Sequence, residues 1–364
     1  MNKPILTLEG LTASISTATR KGKVGILCPY TVEEIIDASG FVPFRLIPQR
    51  PSLDIADAYL PNNLCSYLRH VVDMIIKGDI KDLECIIMNH SCDASRRVFD
   101  ILSYYVPGIR SYFLDIPRKW DSDSHEYFHH LLLNFTSFLE EVSGSIITDE
   151  CLRESVKVYN ENRRLLRKLY SLRARVPHLL DSRFMVAIMN ENMGRPKGEM
   201  NKILDSLLSQ IDTTGKDARR GKRVFVSGGL IDPFPMLRFI EEAGGQVVGD
   251  DFCFGGRYSS ELVEENEEPV RALSKRYLVK VPCGRMERNA ERFHYIIDEM
   301  KKYEAESLIY VSLKFCDNFL IDYHHFKKIL DQEHIPSLFL ESEYFSMGKG
   351  QLETRIEGFL EMLK

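Results

Sequence analysis

Two stretches of the chain share one grammar. Leu308-Ile-Tyr-Val-Ser-Leu313 is a short apolar, partly β-branched run that reads as a buried strand. Cys316 and Asp317 follow it, and an amphipathic segment runs from Tyr323 to Leu330. Earlier, Glu84-Cys-Ile-Ile-Met-Asn-His-Ser-Cys92-Asp93 is again a strand, then Cys-Asp, then a helical stretch from Ala94 to Val106. Ligands of open α/β sheets collect outside the carboxyl ends of strands. A third thiol, Cys65, falls in the first turn of a predicted helix from Asn62 to Lys77, whose apolar face is Leu64, Leu68, Val71, Val72 and Ile75. A helix N-terminus is electropositive and favours the thiolate, the form that binds metal. Their positions leave two readings of Cys65, Cys92 and Cys316: thiolate ligands, or buried thiols acting as small hydrophobes.

There are eight cysteines, at 28, 65, 85, 92, 151, 253, 283 and 316, with no CxxC pair. A zinc ribbon or ferredoxin pattern is therefore absent, and a metal site must gather thiols from far apart in sequence. Cys28, Cys85 and Cys151 lie in apolar or helical runs and read as small hydrophobes. Cys253 and Cys283 lie in loop-like contexts and stay open as functional residues. No HxH spacing occurs, and His324-His325 reads as a solvated pair. GxxxxGK[ST] and strand-linked GxGxxG are both missing, and Gly228-Gly229 reads as a tight turn. The chain is not expected to hydrolyse ATP itself.

The elements that must position these thiols alternate. Lys23 to Cys28 reads as a first strand, followed by Pro29-Tyr30. Thr31-Val-Glu-Glu34 resembles a capping box, opening a helix from Val32 to Ser39 that Gly40 closes. Tyr30 and Glu33 thus stand at the carboxyl end of a strand and are candidate pocket residues. Strands at 41–46 and 111–116 complete a parallel sheet. From 124 to 211 long helical patterns dominate, as in His125–Val142 and Asp149–Arg173. The strand-helix pattern then resumes with strands at 223–227, 246–249, 308–313 and 337–341 and helices at 233–243 and 351–363, with Cys283 placed in a loop before a helix. The expected fold class is α/β, with two Rossmann- or flavodoxin-like parallel-sheet domains. The expected division is 1–122, a helical connecting region 123–220, and 221–364.

Composition sets the class. The 364 residues are 44% hydrophobic and 28% charged, with a net charge of −5 and a pI near 6.1. This is ordinary for a globular protein and shows no basic stripe for nucleic acid. No stretch approaches the ~18 apolar residues of a membrane span, and the first 23 residues show no signal-peptide core. A cytoplasmic protein without membrane or nucleic-acid partners is expected, its thiols free rather than disulfide-bonded.

Longer motifs then carry a resemblance. Cys28-Pro-Tyr-Thr-Val-Glu-Glu34 through Gly40-Phe-Val-Pro-Phe-Arg45, Ser91-Cys92-Asp93 with Arg96-Arg97, Ile240 through Asp250-Asp251-Phe-Cys253-Phe-Gly-Gly-Arg257-Tyr258, Ser312-Leu-Lys-Phe-Cys316-Asp317, and Gly350-Gln-Leu-Glu-Thr-Arg-Ile-Glu-Gly-Phe-Leu-Glu361 are together similar to the 2-hydroxyacyl-CoA dehydratase and benzoyl-CoA reductase family. One departure is Ala94, where the family commonly has Gly.

The resemblance implies a [4Fe-4S] cluster held by three cysteines, at positions matching Cys65, Cys92 and Cys316, with Cys253 outside the set. The chain lacks the extra cysteine near Cys65 found in relatives with two fused cubanes, so a single cubane is expected. The implied activity is dehydration of an (R)-2-hydroxyacyl-CoA to an enoyl-CoA through a ketyl radical. One electron comes from a separate ATP-hydrolysing activator, and a paralogous larger subunit is the partner. The shortness of the chain points to the smaller (beta) subunit. A benzoyl-CoA reductase-type subunit is the alternative within the family, and a non-catalytic thiol-rich metal-binding scaffold the alternative outside it.

Overall fold

The structure, a computed structural model, describes residues 20–211, 221–229, 233–345 and 348–363. The first 19 residues of the stretch read for a signal peptide lie outside the described residues.

Two four-stranded, all-parallel sheets form the frame. The first holds β1 (Lys23–Ile26), β2 (Val42–Arg45), β3 (Leu83–Asn89) and β4 (Arg110–Leu114), in the order β2-β1-β3-β4. The second holds β5 (Lys222–Gly228), β6 (Gly245–Asp250), β7 (Ser307–Leu313) and β8 (Ser337–Ser342), in the order β6-β5-β7-β8. The two sheets repeat one topology, and in each the strand order reverses between the first and third strands. The α/β class expected from the sequence is the one found. Every residue of β7 is buried, as its unbroken apolar pattern requires.

In the first sheet the crossovers carry α1 (Glu33–Ala38), α2 (Ser66–Ile76) and α3 (Asp93–Tyr105). Four helices follow: α4 (Ser122–Ser143), α5 (Asp149–Arg175), α6 (Ser182–Asn192) and α7 (Lys197–Gln210). Their boundaries have local causes. Asp121 caps α4 by accepting from the Ser124 amide at 2.9 Å, and Gly144 ends it at φ 66°. Thr148 caps α5 by accepting from the Cys151 amide at 3.3 Å. The second sheet carries α8 (Pro233–Glu242), α9 (Pro269–Val279), α10 (Asn289–Lys302), α11 (Asp317–Gln332) and α12 (Lys349–Met362). The helix α9 lies in a stretch for which the sequence pattern named no element, and α10 is the helix that follows the Cys283 loop.

The capping box expected at Thr31 does not form. The N-cap of α1 is Val32, with no side-chain cap. The Thr31 hydroxyl instead donates to Asn89 Oδ1 at 2.6 Å, tying the end of β1 to the end of β3. Thr31 and Asn89 are both fully buried, and a buried amide oxygen demands a donor. The expected helix from Asn62 also starts later, at Ser66, so Cys65 is its N-cap rather than a first-turn residue.

Buried ion pairs join the helices around the two sheets. Glu34 Oε1 meets Arg163 of α5 at 2.5 Å, and its Oε2 accepts from Tyr277 of α9 at 2.7 Å. Arg292 of α10 donates to Asp251 at 2.7 Å and Ser227 at 2.8 Å, and it also pairs with Asp322 of α11. The Asn318 amide donates to the Ser91 carbonyl at 3.2 Å, linking the loop after β3 to the start of α11.

Candidate functional site

Cys92, Cys253 and Cys316 share a local address. Each is the third residue past its strand, since β3 ends at Asn89, β6 at Asp250 and β7 at Leu313. Cys92 and Cys316 are moreover N-caps, of α3 and α11. With Cys65 at the N-cap of α2, the three predicted ligands all head helices. The Ser95 amide donates to the Cys92 sulfur at 3.3 Å, whereas the side chains of Cys65 and Cys316 accept no capping hydrogen bond.

All three line one cavity of about 790 Å³, within the range of small-molecule sites. The walls come from both sheets. The loops after β1 and β3 supply Tyr30, Ser91 and Cys92, and the chain after β7 supplies Phe315, Cys316 and Asn318. Leu27, Leu60, Leu64, Tyr67 and Phe319 make much of the surface apolar, while Arg97 and Arg118 are exposed members of the lining. Phe315 sits at φ 62° beside Cys316, about half exposed, an uncommon conformation for a bulky residue.

The low thiol pKa expected at helix starts is not found. Burial pushes the Cys65 thiol up to about 11, outweighing the amides of Leu68 and Tyr67. The Cys92 and Cys316 thiols are raised too, again by burial first, with the neighbouring thiols adding to it at Cys316. Desolvation in an apolar wall exceeds what a helix terminus returns. A bound cation reverses that balance, because a coordinating thiol is deprotonated outright.

The two pocket candidates separate. Tyr30 lines the cavity; its hydroxyl accepts from the Cys283 amide at 3.3 Å, and Lys280 Nζ lies 4.1 Å from its ring centre. Glu33 is not part of the lining. Its carboxylate turns to Tyr258, at 3.1 Å, and to Lys197 Nζ, at 3.4 Å. A buried carboxylate must find a cation, and Lys197 on α7 is the one in reach.

Sequence reasoning passes over several lining residues. Cys28, in an apolar run, reads as a core hydrophobe, yet β1 ends at Ile26 and Cys28 lies just past it, on the cavity wall. The strand-then-Cys signal that singles out Cys92 and Cys316 would also find it. Lys280 lines the cavity as well, and nothing in its spacing announces it, while Arg257, also on the lining, lies in the quoted motif from Asp250 to Tyr258. Cys253 and Cys283, open on sequence grounds, both lie on its wall. Cys85 is fully buried in β3, as expected of a small hydrophobe, whereas Cys151 is exposed on α5. Gly228 and Gly229 serve close packing. A Cβ at Gly228 would stand 2.7 Å from the Val311 carbonyl, and one at Gly229 2.7 Å from the Phe319 ring.

No three His, Cys, Asp or Glu side chains among the described residues converge as they would on a single metal ion. The thiols are instead distributed around a wide cavity. That suits a polynuclear group, in which each thiolate binds a different metal atom.

The fold and cavity define a thiol-lined α/β protein built on two parallel sheets. A profile of the 2-hydroxyglutaryl-CoA dehydratase D-component family matches residues 28–363, and the chain belongs to that family. It is 25% identical to the (R)-phenyllactyl-CoA dehydratase beta subunit of Clostridium sporogenes, over 95% of this chain and 92% of that one. It is 26% identical to a benzoyl-CoA reductase subunit of Thauera aromatica, over 80% and 78%. It is 24% identical to the (R)-2-hydroxyglutaryl-CoA dehydratase beta subunit of Acidaminococcus fermentans, over 95% and 93%. No helix among the described residues is long and apolar enough to cross a membrane.

Proposed function

We propose that the chain is the [4Fe-4S]-bearing subunit of an (R)-2-hydroxyacyl-CoA dehydratase, working with a paralogous larger subunit and an ATP-hydrolysing activator. The observation that carries this reading is the meeting of Cys65, Cys92 and Cys316, each heading a helix, in one cavity with walls from both sheets. All-thiolate donors select iron–sulfur groups. When bound, the cluster supplies one-electron chemistry at low potential, the step that side chains cannot perform.

The chain's own residues supply the setting. The Ser95 amide at the Cys92 sulfur favours its thiolate form, and Cys65 and Cys316 stand at helix N-termini, which favour theirs. The apolar lining limits water around a reactive acyl thioester. Arg97 and Arg118 put positive charge on the lining, suited to the phosphates of a CoA carrier. Tyr30 and Lys280 hold the loops after β1 and α9 against one another through the Cys283 amide and the Pro29 carbonyl. The similarity to the benzoyl-CoA reductase subunit of Thauera aromatica supports a second reading, reduction of an aromatic thioester by the same cluster.

Two measurements test these readings. Cys65, Cys92 and Cys316 are replaced singly by Ala under anaerobic purification, with Cys85→Ala and Cys151→Ala as controls. Iron falls sharply in the first three and hardly in the controls; full iron retention in Cys316→Ala sinks the proposal. Turnover with the partner subunit and activator, using a 2-hydroxyacyl-CoA and benzoyl-CoA in turn, separates dehydratase from reductase.

A further inference from the structure

The cavity wall continues outward along one face of α3. Asp93, Arg97 and Ile101 all line the cavity, and residues spaced four apart share a helix face. The next residue on that face is Tyr105. Its ring centre lies 4.6 Å from that of Tyr59, itself a lining residue, and 4.8 Å from that of Tyr104.

The core does not require these rings. The side of α3 that enters it carries Ser95, Val98 and Leu102, whereas Tyr104 is 78% exposed and Tyr105 53%. Exposed aromatic side chains in mutual contact beside a cavity mark a binding surface. Both ring contacts are edge-to-face, so most of the ring faces stay open to stack on a flat ligand. Charge narrows the ligand further. Arg97 is exposed, and its pairs with Asp93 at 3.5 Å and Asp100 at 3.6 Å join exposed side chains, which holds it weakly. Arg118 is a second exposed cation on the lining. Stacking faces beside exposed guanidinium groups suit a base that carries phosphates.

The reach agrees. From Cys92 to Tyr105 the helix rises about 20 Å, at ~1.5 Å per residue. A pantetheine arm has the bond count of about four extended residues, ~14 Å, and its pyrophosphate and ribose carry an adenine further out. A thioester near Cys92 would therefore bring its adenine to the tyrosines.

We infer that Tyr59, Tyr104 and Tyr105 form a stacking shelf at the edge of the cavity for the adenine of a CoA carrier, with Arg97 taking its phosphates. The inference rests on the acyl-CoA reading of the cavity and names where the carrier is held.

Isothermal titration calorimetry of the full-length, metal-free chain with CoA, adenosine 3′,5′-bisphosphate and pantetheine tests it. CoA and the bisphosphate are expected to bind and to compete, and pantetheine to bind more weakly than CoA. The double variant Tyr104→Ala, Tyr105→Ala should weaken both nucleotides about tenfold, the loss expected for one stacked base, with its melting temperature unchanged. Tyr105→Phe, which keeps the ring, should retain CoA affinity. Equal CoA affinity in wild type and double variant, or pantetheine binding as tightly as CoA, overturns the inference. A double variant that keeps its CoA affinity but no longer associates with the larger subunit overturns it as well, and makes the tyrosines a subunit contact. A wild-type chain that binds no CoA also overturns it; iron bound through Cys65, Cys92 and Cys316, measured separately, then shows that the cluster reading stands. The comparison of CoA with pantetheine needs no variant, so it decides even where the double substitution does not fold.

Discussion

Glu34 joins three parts of the molecule, and its replacement by Gln has a calculable cost. The carboxylate and its partner Arg163 are both 0% exposed. Burial raises the carboxyl pKa, but Arg163 and Arg276, with the Tyr277 hydrogen bond, outweigh it and hold it below the usual value. Removing one member of such a pair leaves the other charge uncompensated, at about 3–5 kcal/mol. Gln keeps the shape and still accepts from Tyr277, so about 3 kcal/mol is expected for Glu34→Gln and the upper end for Glu34→Ala. Unfolding entropy of about 2.1 cal/mol/K per residue makes this a fall in Tm of about 4 °C for Gln and about 6 °C for Ala, if the chain unfolds as one unit. Circular dichroism melts of the metal-free protein measure it. The sign with pH follows from the lowered pKa. The carboxylate stabilises the fold above the unfolded value of about 4.3, and that contribution is lost as pH falls through the lower folded value. The gap between wild type and Glu34→Gln should therefore be full at neutral pH and narrow towards about pH 3. A Tm change below about 1 °C at neutral pH, or a gap of constant size down to about pH 3, would refute the argument.

Other outcomes follow from the same geometry. Glu33→Gln weakens the contact with Lys197, so it lowers stability while leaving the cluster spectrum and the turnover per folded enzyme unchanged; an altered spectrum at normal stability would put Glu33 back in the site. Tyr30→Phe removes the acceptor of the Cys283 amide, and a loss of about 1 kcal/mol is expected, read by chemical denaturation, together with a changed cluster spectrum in the loaded protein. Iodoacetamide footprinting by mass spectrometry of the native metal-free chain should modify Cys151 first and Cys85 last; early modification of Cys85 would contradict its burial in β3.

What the sequence made legible depended on how local each signal was. The run Leu308 to Leu313 is apolar because β7 is covered on both faces, so its pattern is intrinsic. The Cys-Asp pairs after β3 and β7 could be read because strand, thiol and helix are contiguous. Thr31 misled because its local capping role lost to Asn89, which is 58 positions away. Glu33 and Glu34 look interchangeable in sequence, and only the helices α5 and α7 packing from a distance decide which cation each meets. Lys280 gave no signal at all, since its contacts with Pro29, Tyr30 and Tyr277 are made by packing and are not a local pattern. The helix α9 could have been found: Glu268 accepts from the Val270 and Arg271 amides at 2.9 and 2.7 Å, and Pro269 opens the first turn.

The shared walls of the cavity carry a consequence for traffic. Its thiols are divided between two sheets, so parting the sheets to admit a bulky molecule would also separate the sulfurs. A passage beside Tyr59, Arg97 and Arg118 would leave the sulfurs where they are. Under the proposed function, a route for the acyl thioester past Tyr59, Arg97 and Arg118 would leave the cluster's three thiols undisturbed at each turnover.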